Sequence, residues 1–114
     1  MIFLLGLVGC MNSNFYEVDK VKIVSVTAEG ETIKVIYHPP AESLYHSPGI
    51  QIVKHGNETI VQVVRCHIEK KCKTDIDAKL NESNQYSVSI PNALRSDQVY
   101  LKDGSGKKIE LNAR

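Results

Sequence analysis

Tryptophan is absent from this 114-residue chain, and phenylalanine occurs only twice. Without a row of aromatic rings there is no platform on which bases or sugars stack, which argues against single-strand nucleic-acid binding and against a lectin-like groove. An excess of one charge is lacking too. Fourteen Lys and Arg stand against 13 Asp and Glu, a net of +1, so no global field draws the chain to nucleic acid. Methionine is found only at positions 1 and 11, which leaves no Met-rich copper(I) motif. No G-x-S-x-G, H-E-x-x-H or P-loop occurs. Asp75 and Asp77 have the spacing that shares a strand face, but in a polar stretch that reads as a solvated loop, and the chain reads as a non-enzyme.

What is present starts at the first residue. Met1-Ile2-Phe3-Leu4-Leu5-Gly6-Leu7-Val8-Gly9-Cys10 is an apolar run closing on the tetrad Leu7-Val8-Gly9-Cys10, and it is too short to span a bilayer. The tetrad resembles the lipobox of bacterial lipoproteins, in which the cysteine thiol is acylated and the preceding residues are removed. That resemblance implies a signal over residues 1–9, lipidation at Cys10, a tether over 10–19 and a domain over 20–114 in the cell envelope. No Lys or Arg precedes Cys10, where a signal carries a basic region, so the true start is expected upstream. A first β-strand over residues 1–9 is the competing reading. No Asp follows Cys10, and by the family's sorting rule this implies an outer-membrane lipoprotein facing the periplasm.

Three cysteines fit that resemblance: Cys10 goes to lipid, and Cys66 and Cys72 remain as a pair. In an oxidising periplasm the pair is expected to form a disulfide that staples a five-residue loop, residues 67–71. The alternative, two thiolates of a metal site, lacks C-x2-C spacing and a second ligand pair.

From Lys20 onward alternation and β-branching dominate, without a stretch of helical period. Strands are expected over 21–26, 32–37, 50–55, 58–66, 86–90, 98–102 and 107–112. Gly56-Asn57 supplies a hairpin turn, and residues 103–106 (Asp-Gly-Ser-Gly) supply a second, with Ile109 and Leu111 expected in the core. Pro39 and Pro40 end the second strand and open a loop to Gly49, with a helical turn around residues 42–45. The polar stretch 73–84 is expected to cross between sheets. About seven short strands with frequent turn signals describe an all-β antiparallel sandwich, immunoglobulin-like or fibronectin-III-like, with a small β-barrel as the alternative.

Two loops stand out as contact surfaces. Arg65-Cys66-His67-Ile68-Glu69-Lys70-Lys71-Cys72-Lys73 carries four permanent positive charges and one negative, with Ile68 at its centre as an apolar anchor. Held by the disulfide, it would lose little entropy on meeting an acidic partner surface. Leu44 and Tyr45 in the proline-led loop are the second candidate contact. His38, His46 and His55 are candidate copper or zinc ligands, at one end of a sandwich. The function these features imply is a lipid-anchored periplasmic binding module without a cofactor. It would engage an envelope protein as an inhibitor, immunity protein or accessory subunit. A periplasmic copper or zinc carrier is the alternative.

Overall fold

The computed structural model describes residues 14–30, 32–91 and 98–111. The tetrad Leu7-Val8-Gly9-Cys10 and the rest of residues 1–9 lie outside them. The chain forms a β-sandwich whose strand pairs, among the described residues, are antiparallel with one exception. One sheet runs in the order β1 (Lys22–Glu29), β2 (Thr32–His38), β9 (Tyr86–Pro91), β8 (Lys79–Leu80). The other runs β11 (Lys108–Glu110), β10 (Gln98–Lys102), β5 (Glu58–Val63), β4 (Gly49–His55), β7 (Ile76–Asp77). A third, two-stranded piece joins β3 (Tyr45–His46) to β6 (Cys66–His67). The two main sheets do not close into a barrel. In the first, the chain order of the strands is that of the A-B-E-D sheet of immunoglobulin domains. In the second, β10 lies beside β5, the later strand of the β4–β5 hairpin, and the two run parallel.

The hydrophobic pattern explains the faces. Along β2, Ile33, Val35 and Tyr37 are buried, and their opposite numbers on β9, Ile90, Val88 and Tyr86, meet them in register. Val61 and Val63 of β5, Ile50 of β4, and Val99 and Leu101 of β10 supply the facing wall. A bulge at Val24 shifts β1 against β2, so Ile23 and Val26 both face inward although they are three residues apart. The β1–β2 hairpin is tighter than anticipated, because Gly30 takes a positive φ of 54° and lets the strands pair as far as Glu29 and Thr32.

Several boundaries differ from the sequence reading. Residues 14–19 belong to the domain and not to a tether: Tyr16 N–H donates to the Val63 carbonyl, and Tyr16 and Val18 are core residues. Residues 42–45 form no helical turn. Instead Tyr45 and His46 make β3, since β6 offers an unpaired partner edge. The strand expected over 58–66 divides after Val63: Val64 bridges Phe15, and Cys66–His67 turn to β3. Ile109 is 37% exposed, because β11 is an edge strand whose one strand neighbour among the described residues is β10, while Leu111 is buried. The stretch 73–84 does cross between sheets, giving β7 to one and β8 to the other.

Candidate functional site

The two loops singled out in the sequence come together. Tyr45 pairs with His67 and His46 with Cys66, and the Ile68 N–H donates to the Leu44 carbonyl at 2.9 Å. Cys66 and Cys72 are disulfide-bonded with Cα atoms 6.0 Å apart, closing the turn beyond β6. Leu44 and Ile68, 53% and 56% exposed, are thereby joined backbone to backbone. Lys70, Lys71 and Lys73, in and just beyond the disulfide loop, are exposed, and none makes an ion pair among the described residues.

Arg65 has a different role from these lysines. Its Nε and Nη2 donate to Oε1 and Oε2 of Glu42 at 3.1 and 2.7 Å, and its guanidinium lies 3.6 Å from the centroid of the Tyr45 ring. Tyr45 in turn meets the His67 ring edge-on at 5.2 Å. The cation is thus committed inside the protein, where it fixes one loop against the other. The hydrogen bonds from Arg65 hold the Glu42 carboxyl below its usual range, and Glu42 raises the Arg65 pKa in return. Burial, followed by the negative charge of Glu42, pushes the Tyr16 hydroxyl well above its usual pKa. Tyr16 Oη is buried without a hydrogen-bond partner of normal geometry among the described residues.

On one side of this bracket lies a cleft of about 420 Å³, walled by Pro39, Pro40, Tyr45, Leu80 and Tyr86. Tyr86 stacks on Tyr37 at 5.7 Å between centroids. Tyr37 donates to Ser47 Oγ, whose own hydroxyl donates to the Gly49 carbonyl, and burial pushes the Tyr37 pKa up to about 12. The cleft's floor is therefore rigid and its walls largely apolar. On the other side a depression of about 340 Å³ is shared by Asn14, Arg65, His67 and Lys70.

The histidines do not converge. His38 and His46 border the cleft, but His55 is at the far end of β4, opposite Glu58 and six residues beyond Gly49, a distance of about 20 Å along a strand. The imidazole of His38 donates from Nδ1 to the Asn84 carbonyl at 3.2 Å. Among the described residues no three His, Cys, Asp or Glu side chains could hold a metal ion. The proposed ligand set of His38, His46 and His55 is thus corrected by the length of β4. Asp75 and Asp77 are likewise occupied: Asp75 Oδ2 accepts the Ile52 N–H and Asp77 Oδ1 the Thr74 hydroxyl.

Sequence reasoning missed Glu42, Tyr16, Leu80 and Tyr86. Glu42 lies 23 residues from Arg65, so no local spacing reveals the pair, although an acid beside Tyr45 in an otherwise uncharged loop was a usable signal.

Fold and site together define a small disulfide-stapled β-sandwich with one organised loop face. Comparison with known families finds no family model that matches the chain. Comparisons with curated proteins and with solved structures find no match either. No helix among the described residues is long and apolar enough to cross a membrane.

Proposed function

We propose that the chain is a lipid-anchored, non-catalytic binding module of the bacterial cell envelope, held by acylated Cys10 and engaging a protein partner. The observation that carries this reading is the welding of the two loops into one rigid surface, in which Arg65, Glu42 and Tyr45 lock an apolar cleft open beside the β3–β6 pair. A preformed, mostly apolar cleft with aromatic and proline walls suits a peptide segment or loop of another protein, because little order remains to be imposed on binding. Glu42, the carboxylate at its margin, is neutralised by Arg65, which fits recognition better than acid-base chemistry. An inhibitor, an immunity protein and an accessory subunit of an envelope assembly all satisfy this description.

The test is a cross-linking pull-down with the full chain from an envelope extract, repeated with Leu80→Glu. Leu80 is 58% exposed at the cleft rim, so the change adds a charge without touching the core. Capture of one dominant protein that Leu80→Glu abolishes is the expected result. Capture of the same protein by both forms would remove the cleft from the contact. The anchor is tested by Cys10→Ser, which should move the protein from the salt-washed membrane fraction to the soluble one; persistence in the membrane would end the lipoprotein reading.

A further inference from the structure

The chain's route into the fold is pinned at one place. The Arg65 N–H donates to the Asn14 carbonyl at 2.9 Å, Phe15 bridges Val64, and Tyr16 N–H donates to the Val63 carbonyl at 3.0 Å. Residues 14–16 therefore enter antiparallel to the segment that leads into the disulfide loop, and Asn14 borders the same depression as Lys70. Cys10 precedes Asn14 by four residues, which a fully extended chain covers in at most about 14 Å. Wherever Cys10 is fixed, Asn14 is within that reach of it, and the basic loop borders Asn14 through Lys70.

The loop's exposed groups have the composition of a membrane-contact surface. Lys70, Lys71 and Lys73 are exposed and make no ion pair among the described residues, and Glu69 is the single acid between Cys66 and Lys73. Leu44 and Ile68, joined backbone to backbone, are half-exposed apolar residues of the same loop edge. Cations that meet headgroups around an apolar pair that enters the acyl boundary are what an interfacial contact needs. Asn14, held at most about 14 Å from the anchored Cys10, keeps this edge close to the bilayer, which favours lipid over protein as the occupant.

We propose that the disulfide-stapled loop is a second membrane contact, docking Lys70, Lys71, Lys73, Ile68 and Leu44 onto an anionic phospholipid surface when Cys10 is anchored in it. This rests on the lipid-anchor reading, and it uses none of the residues that line the cleft, which are left to the protein partner. The electrostatic part weakens with salt, since it acts within about 8 Å at physiological ionic strength.

The absence of tryptophan makes the test direct. Cys10 is the single cysteine outside the disulfide, so the full chain can be coupled through it to maleimide-lipid vesicles of phosphatidylglycerol and phosphatidylcholine, or of phosphatidylcholine alone. Ile68→Trp reports from the loop, Leu44→Trp from its neighbour, and Val53→Trp from an exposed position on another strand. In anionic vesicles the indoles of Ile68→Trp and Leu44→Trp should shift to the blue and be quenched by brominated lipid, while that of Val53→Trp is unaffected. Adding Lys70→Glu, Lys71→Glu and Lys73→Glu should weaken docking by about fivefold or more per residue. An indole at position 68 or 44 that stays unquenched on anionic vesicles, or quenching that survives the three charge reversals, would overturn the proposal. Because the tether is supplied chemically, this outcome is independent of whether the cell acylates Cys10, which the Cys10→Ser fractionation decides by itself.

Discussion

Asp103 shows how much one side chain can organise. It is 4% exposed, yet its carboxylate accepts the Val18 N–H at 2.8 Å, the Ser105 N–H and hydroxyl at 2.9 and 2.6 Å, and the Lys107 N–H at 3.3 Å. Burial alone would raise its pKa; the hydrogen bonds from Ser105, Val18 and Lys107 outweigh it and hold the carboxyl below the usual range. A depressed native pKa means stability that is fully present above the unfolded value, about 3.9, and is lost as pH falls through the native one. Asp103→Asn should therefore cost about 1–3 kcal/mol at neutral pH and flatten the acid limb of a urea-denaturation series. Tyr37 works in the opposite direction: raised to about 12, it contributes stability that is complete below about pH 10 and fades above it. An ultraviolet titration compared with that of Tyr37→Phe should show the Tyr37 phenol ionising only as the alkaline form unfolds. Arg65→Lys removes the two-pronged bond to Glu42 and the stack on Tyr45 while keeping the charge, and should cost about 1–2 kcal/mol by urea denaturation. Of these residues only Arg65 was legible as a site, and it was assigned to a partner; its commitment to Glu42 depends on two loops meeting.

The elements with clean alternation, β2, β9 and β10, could be read directly, because their core faces repeat every second residue. The two-residue strands β3, β6, β7 and β8 could not: each exists because a neighbour presents an unpaired edge, and two residues carry no period. Gly49 marks one such dependence. A Cβ there would run into the backbone carbonyl of Ile76, so the β4–β7 pairing requires glycine at this position. Gly49→Ala should destabilise the domain by about 2 kcal/mol or more and separate β7 from the sheet, seen as faster amide exchange at residues 76 and 77. The disulfide is the second dependence. Replacing Cys66 and Cys72 together with alanine frees a short loop and should cost about 2 kcal/mol in a thermal melt, with the β3–β6 pair losing exchange protection first.

Across the whole molecule, the domain begins earlier than its sequence pattern suggests. Tyr16 and Val18 complete the core, and Asp19 meets Lys107 at 2.7 Å from the far end of the chain. A chain beginning at residue 20 should lose more than about 4 kcal/mol relative to one beginning at residue 14, enough to leave it molten in near-ultraviolet circular dichroism. The sequence by itself determined the all-β class, the longer strands, the hairpins at Gly56-Asn57 and at residues 103–106, and the basic disulfide loop, because alternation, turn chemistry and cysteine placement act over a few residues. Tertiary structure alone decided that β10 runs parallel to β5, that His55 stands a strand's length from His46, and that Glu42 captures Arg65 to weld two loops. Those outcomes depend on which edges and charges meet across tens of residues of chain, and no local period encodes such a meeting.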